Sequence, residues 1–307
     1  MNQTHSTPDS PARGACPVRS DHKSRSPSPS AAAGLLDLAG KTIAVIGAGK
    51  LGESLIQGLI DAQVFTPDRV IATATSRGRV DDLVARHGIH GTLDNNDAVA
   101  RADIVIFAVK PQTIAAVLRE VRHGFTPEKL AISVAASVSI AKIEAEIGEG
   151  IPVIRAMPNT PCLLQVGMTA VAGGRCVTPC QLNRAEAIFT AVGRCMVLEE
   201  RHFDAVTGLS ASGPAFIYII IESLAEAGVK LGLPRNVATE LVAQTVLGAA
   251  HMTLETGEHP ALLKDQVTTP AGCTIDGILE LEEGGLRTTL IKAVVKTTQR
   301  ASELVNG

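Results

Sequence analysis

The chain has 307 residues, 45% hydrophobic and 19% charged, enough for one large globular domain or two ordinary ones. A net charge of −3 speaks against a nucleic-acid surface, which carries a strong positive footprint. Aromatic residues are 2% of the chain, with no Trp and a single Tyr, Tyr218, so platforms for stacking bases or sugars are not expected.

Residues 1–38 are rich in Ser, Pro and Ala and read as a disordered tail. Arg13, Arg19, Arg25 and the serines resemble a transit peptide weakly, but Asp9, the prolines and the lack of an amphipathic pattern count against it. No apolar run there suits a signal peptide.

From Lys41 the texture changes: "KTIAVIGAG", "RVIATAT", "ADIVIFAVKP", "KLAISVAA" and "PVIRAMPN" are apolar strand-like runs. Between them lie the helical patterns "LGESLIQGLIDA", "VDDLVARHG", "TIAAVLREV" and "IAKIEAEIG". Such alternation predicts an α/β fold, a doubly wound parallel sheet covered on both faces. "GMTAVAGG", a helix around 180–192 and "CMVLEE" extend or edge that sheet. After about residue 200 the alternation stops. "GPAFIYIIIESLAEAGVKLGL", "PRNVATELVAQTVLGAAHMTLETG", "PALLKDQV" and the 274–305 segment all read as helices. The expected organisation is a tail (1–38), a sheet domain (39–202) and an all-helical domain (203–307). The run from Phe216 to Ile221 is apolar nearly all round, which suits a core or a subunit interface and predicts a homo-oligomer. Glu222 and Glu226 interrupt it before it reaches the roughly 20 apolar residues of a membrane span.

The six cysteines, Cys16, Cys162, Cys176, Cys180, Cys195 and Cys273, show no disulfide-framework spacing. Cys176 and Cys180 resemble half a metal site, but no second pair completes it, so no metal is expected. Reduced thiols and a cytoplasmic location are the reading.

"VIGAGKLGESL" places Gly47, Gly49 and Gly52 after a strand and at the opening of a helix, the setting in which GxGxxG binds a dinucleotide. Gly47 permits the tight turn, Gly49 lets the backbone approach a diphosphate, and Gly52 allows helix–strand packing; Ala48, Lys50 and Leu51 complete the turn. The acid that usually holds NAD ribose is missing after the second strand. Thr75, Ser76, Arg77 and Arg79 stand there instead and suit a 2′-phosphate, which favours NADP(H) over NAD(H). Two further strand ends, Ala108-Val109-Lys110-Pro111 and Val134 to Ser137, line the same crevice. Lys110 suits a phosphate, and small residues around Ala136 leave room for a nicotinamide ring.

The motifs "GAGKLG", "AVKP", "RAMPNTP", "GLSASGPAF", "ETGEHPALLKD" and "VTTPAGCTIDGI" resemble those of the pyrroline-5-carboxylate reductase family in order and spacing from about 41 to 305. The resemblance implies a Rossmann-like domain, a helical domain that dimerises by interleaving, and dimers that assemble further into rings, a decamer among them. It implies NAD(P)H-dependent reduction of 1-pyrroline-5-carboxylate to L-proline. By this correspondence Gly272, Cys273 and Thr274, with Thr269, cradle the substrate carboxylate at a helix start, and Thr274 is the candidate to hydrogen-bond the imine nitrogen. A pre-protonated iminium is equally compatible. Asn95 and Gln266 fall where the family contacts the nucleotide, and Asn159 where a loop joins sheet and substrate site. His259 reads as structural, and Lys264 and Asp265 as partners in helix-end ion pairs. The chain departs from the family at Ala211, Phe216, Ala271 and Ser137, of which Ala211, Ala271 and Ser137 replace glycines.

Two other functions fit parts of the sequence. Another NADP-linked imine or hydroxyacid reductase is one, although no counterpart of the hydroxyacid enzymes' helix-borne lysine is evident. A non-catalytic NADP-sensing protein is the other; the intact Thr274, Lys110 and glycines speak against it.

Overall fold

The computed structural model describes residues 28–306. Residues 1–27, with the transit-peptide reading, lie outside them. The sheet runs through β1 (Ile43–Ile46), β2 (Val70–Thr73), β3 (His90–Thr92), β4 (Ile104–Phe107), β5 (Leu130–Ser133), β6 (Val153–Met157), β7 (Gly167–Gly173) and β8 (Gly193–Val197). Their spatial order is β3-β2-β1-β4-β5-β6-β7-β8. β1 to β6 are parallel to one another, β7 turns antiparallel to β6, and β8 runs parallel to β7.

The apolar runs become strands because every residue in them has a layer to enter. In β1, Ile43 and Val45 join one core while Ala44 and Ile46 join the opposite one, and β4 divides its residues in the same way. The first layer takes Leu55, Ile56 and Leu59 from α2 (Lys50–Asp61), Leu83 from α3 (Arg77–His87) and Phe189 from α7 (Pro179–Thr190). The second takes Val99 from α4 (Asn95–Arg101), Leu118 from α5 (Pro111–Val121) and Ile143 from α6 (Ile140–Ile147).

The tail assignment is corrected for its last residues. Pro29–Leu38 form a helix, α1, capped by the Ser28 hydroxyl and docked on α7. Ala31, Gly34 and Leu38 are buried there, and a Cβ on Gly34 would come within 2.1 Å of the Asn183 carbonyl oxygen. Ser28 and Ser30 donate to Glu186, and Asp37 pairs with Arg184. The helix stands on partners some 150 residues away, which composition does not reveal. β3 and α4 are further elements that the periodicity does not announce. α4 is opened by a local cap, Asp94 accepting from Asn96 and Asp97 N–H, and closed by a tertiary one, Lys129 Nζ donating to the Val99 and Ala102 carbonyls.

Beyond the sheet the chain is helical: α8 (Phe203–Val206), a π-turn (Thr207–Ala211), α9 (Gly213–Lys230), α10 (Arg235–Thr256), α11 (Pro260–Val267), α12 (Cys273–Glu283) and α13 (Leu286–Asn306). Within the helical 274–305 segment, Gly285, at φ +68°, separates α12 from α13. α9 and α10 pair, and α13 packs on α8 and the π-turn, where Gly208 lies against Thr298. Little is buried: α9 and α10 bury one residue each, Ala225 and Ala238. Tyr218, Ile219, Leu231, Leu241, Leu279 and Ile291 are among the large apolar side chains left exposed. The helical run Glu200–Lys230 also has the length and apolar composition to cross a membrane.

Candidate functional site

The carboxyl ends of β1, β2, β4 and β5 meet where the strand order reverses, between β1 and β4. After β1, Gly47 takes φ +83°, and a Cβ there would strike Val109 Cγ1 at 2.5 Å. Gly52 lies against the Gly47 oxygen, Val45 and Ala108, all within 3.4 Å of an added Cβ. Gly49 is different: a Cβ would meet nothing within 4 Å. The turn therefore needs glycine at Gly47 and Gly52 for packing, and leaves space over Gly49. Gly49 is the N-cap of α2 and supplies no side-chain acceptor, so the first-turn N–H groups of Lys50, Leu51 and Gly52 are bare. Such a start attracts an anion.

The same holds beside it. α3 begins at Ser76 and α5 at Lys110, neither with a side-chain cap. Ser76, Arg77 and Lys110 are exposed, and Pro111 occupies the first position of α5. Behind the turn, Thr73 Oγ1 accepts from Gly47 N–H at 3.2 Å and donates to Asn95 Oδ1 at 2.8 Å. Asn95 Nδ2 faces Glu120 at 3.3 Å, so Asn95 is part of a chain that braces the turn. At the β5 end, Ala136 is exposed and Ser137 holds φ +59°, a left-handed conformation that glycine adopts without strain.

Arg77 and Arg79, alike in sequence, part company. Arg77 is exposed and makes no ion pair or hydrogen bond among the described residues. Arg79 turns inward: Nη2 reaches Glu53 Oε2 at 2.6 Å, Nη1 reaches Asp82 at 3.1 Å, and Nε donates to the Ala48 carbonyl at 3.2 Å. The expectation that Arg79 faces a 2′-phosphate is corrected, because its donors are engaged. Glu53 also contacts Arg86, and His87 Nε2 at 3.3 Å. Desolvation pushes the Glu53 carboxyl up, but hydrogen bonds from Arg79 and His87 and the charges of Arg79 and Arg86 outweigh it and hold it below its ordinary value. Its contribution to stability is complete above the ordinary value of 4.5 and is lost as the pH falls through the lower folded one.

Asn159 joins the sheet to the π-turn: its Oδ1 accepts from Met168 N–H at 2.8 Å and its Nδ2 donates to the Ser210 carbonyl at 3.3 Å. Both ends of the amide are used, so it orders the loop. Nearby, Arg155 of β6 is 3% exposed, lies over the Phe203 ring at 4.8 Å and donates to Glu200 Oε1 at 3.0 Å. The same Glu200 oxygen accepts from Ile140 N–H at the start of α6.

In the 269–274 turn, Gly272 N–H donates to the Thr269 carbonyl at 3.0 Å, and Ala271 sits at φ +58°. Gly272 caps α12 without a side-chain acceptor, so this helix also opens with bare N–H groups. Thr269 and Cys273 are exposed and Thr274 is half-buried. His259 caps α11 by accepting from Ala261 N–H, and Lys264 pairs with Asp265. Gln266 donates to Glu258 at 2.8 Å. α12 packs chiefly on α13, and neither α11 nor α12 packs substantially against a strand of the sheet. Within one chain, then, the glycine turn, Ser76, Arg77, Lys110 and Ala136 share one edge, while Gln266 and residues 269–274 stand on helices outside it. Thr73, Glu53, Arg155 and Glu200 are contributors that the sequence did not single out. The one signal was a polar Thr73 closing an apolar strand.

A doubly wound sheet with bare helix starts at its reversal point, followed by an apolar helical unit, defines an oxidoreductase that binds a nicotinamide dinucleotide. Residues 200–304 match the family described as pyrroline-5-carboxylate reductase dimerisation, and residues 42–137 the family described as NADP oxidoreductase, coenzyme F420-dependent. A pyrroline-5-carboxylate reductase of Methanosarcina acetivorans is 46% identical over 85% of this chain and 97% of its own. The chain belongs to the pyrroline-5-carboxylate reductase family. One from Arabidopsis thaliana is 40% identical over 85% of this chain and 95% of its own. Among solved structures, the Coxiella burnetii reductase superposes with a TM-score of 0.82 at 38% identity, covering 86% of this chain and 98% of that one. The Plasmodium falciparum pyrroline carboxylate reductase, solved with NADP bound, gives 0.78 at 27% identity, covering 87% and 98%.

Proposed function

We propose that the 269–274 turn of one chain closes over the glycine turn of another, so that each active site is shared between two subunits. The reaction is the NAD(P)H-dependent reduction of 1-pyrroline-5-carboxylate to L-proline. The observation that carries the site assignment is that α2 and α12 both open on glycine N-caps without side-chain acceptors, while α12 lies apart from its own sheet. A dimerisation match over 200–304 and the exposed apolar helices support a second chain bringing them together. It also gives the apolar run Glu200–Lys230 a protein surface to cover it.

In this reading residues 39–202 hold the dinucleotide and residues 203–307 the substrate and the partner. Gly47 to Gly52 receive the diphosphate, and Ser76 and Arg77 the 2′-phosphate. Asn95 braces the turn, and Ala108 to Pro111 with Ala136 border the nicotinamide. Gln266 reaches the nucleotide across the subunit contact. Bound there, the reduced nicotinamide supplies a hydride to the imine carbon.

The chain's own residues do the positioning. The α12 N–H groups with Thr269, Gly272 and Cys273 orient the carboxylate; a helix terminus contributes about 0.3–1 kcal/mol towards an anion, rising to about 2 when partly buried. Asn159 keeps the joining loop in register. Thr274 hydrogen-bonds the ring nitrogen, which takes its proton from water through that hydroxyl or arrives already protonated. Rings of dimers and a cytoplasmic location complete the reading; the free thiols of Cys162, Cys176, Cys180, Cys195 and Cys273 support a reducing compartment.

Steady-state assays with 1-pyrroline-5-carboxylate and each cofactor test it. Thr274→Ala is expected to lower kcat about tenfold or more while leaving NADPH affinity nearly unchanged. Equal losses in both remove Thr274 from the substrate side.

A further inference from the structure

We propose that Arg79 is a positioning residue for the diphosphate turn, held in place by Glu53, and that it takes no part in recognising the 2′-phosphate. This rests on the reading of Gly47 to Gly52 as the diphosphate cup.

The geometry is that of a clamp on the two peptides that flank the Ala48 Cα. Ala48 N–H donates to the Thr73 carbonyl at 2.7 Å, and the Ala48 carbonyl accepts from Arg79 Nε at 3.2 Å. The peptide joining Ala48 to Gly49 is planar and is held at both edges, its oxygen by Arg79 and its Gly49 N–H by the Gly47 carbonyl at 2.7 Å. Gly49 has no side chain to steady it, and an added Cβ would meet nothing within 4 Å. Without the guanidinium the plane is held at its Gly49 N–H edge alone, and the Ala48 oxygen can tilt towards a diphosphate, which repels it. Arg79 is kept in position by Glu53 Oε2 at 2.6 Å and Asp82 at 3.1 Å. Glu53 is itself on the first turn of α2, with Arg86 and His87 at its other oxygen. The brace therefore ties the start of α3 to the start of α2 beneath the turn. Arg77, two residues earlier and exposed, is left as the guanidinium that can face a phosphomonoester.

The two roles separate by cofactor. NADPH and NADH share the diphosphate, and NADPH alone carries the 2′-phosphate. Dissociation constants for both, read from cofactor fluorescence, are to be measured in Arg79→Lys, Glu53→Gln, Arg77→Ala and Gly49→Val, with melting temperatures. Arg79→Lys keeps the charge but cannot hold the Ala48 carbonyl and both carboxylates at once. It should weaken both cofactors by the same factor, about tenfold, the scale of one charge-assisted hydrogen bond, with kcat at saturation unchanged. Glu53→Gln should weaken both equally and by less. Arg77→Ala should weaken NADPH alone. A loss confined to NADPH in Arg79→Lys, or no loss with either cofactor, overturns the assignment. Should Arg79→Lys fail to fold, Glu53→Gln decides by the same criterion. Gly49→Val tests the cup separately: normal binding of both cofactors there overturns the cup itself, and the clamp with it.

Discussion

Ser137 and Ala271 stand where the family resemblance leads one to expect glycine, and both adopt a left-handed backbone, at φ +59° and +58°. An L side chain in that region costs about 1–2 kcal/mol, partly offset because glycine loses more freedom on folding. One lies in the loop before α6 and the other in the turn before α12, the two loops that the proposed reading puts against cofactor and substrate. Ala271 is exposed and makes no packing that a glycine would lose. Ala271→Gly is accordingly expected to raise the melting temperature by about 2 °C in a thermal scan, the effect of somewhat less than about 1 kcal/mol in a chain of this size. An unchanged or lower value means the neighbouring structure has absorbed the strain.

At the scale of elements, the joint between the sheet and the helical unit is electrostatic. Glu200 lies just before α8, and one of its oxygens serves both Arg155 of β6 and the Ile140 N–H of α6. Two Arg155 nitrogens, Nε and Nη2, are buried without a hydrogen-bond partner among the described residues. The guanidinium therefore depends on Glu200 and on the face of Phe203. Removing one partner of such a pair leaves a charge uncompensated, which costs more than the pair contributes. Glu200 is 31% exposed, which moderates the loss. Glu200→Ala should lower unfolding free energy by about 2–4 kcal/mol in denaturant titrations, and adding Arg155→Met should recover most of it. A double variant as unstable as the single one would show that the joint is held by packing. α1 makes a second joint of the same kind, with Asp37 and Arg184 at one end and two serines on Glu186 at the other.

For the whole molecule, the central feature is that α12 packs chiefly on α13 and not on the sheet that carries the glycine turn. Neither α11 nor α12 packs substantially on a strand of its own sheet, and the helical unit buries almost none of its large apolar residues within one chain. A shared site has a consequence that a site within one chain lacks. Co-refolded Gly49→Val and Thr274→Ala subunits form mixed dimers in which one site collects both defects and the other has neither. Activity should return to about a quarter of the unmutated level, since about half of the dimers are mixed and each has one intact site. Recovery no greater than the average of the two parent variants would place both cups in the same chain.

The sequence by itself determined what local pattern controls. Continuous apolar runs marked β1, β2, β4, β5 and β6, because a strand buried on both faces needs no polar alternation. Gly47, Gly49 and Gly52 marked the turn, because one needs a positive φ, one an open approach and one a close contact, all properties of the residue itself. Tertiary structure decided whatever depends on a distant partner. α1 looked like tail until α7 received it, and α4, which no periodicity announces, has its end closed by Lys129. Arg77 and Arg79 are equivalent in a one-dimensional reading; Glu53, 26 residues before Arg79, is what turns one of them inward. Residues 269–274 announced a helix start, but where that start points is set by what α12 packs on, and a sequence carries no record of that direction.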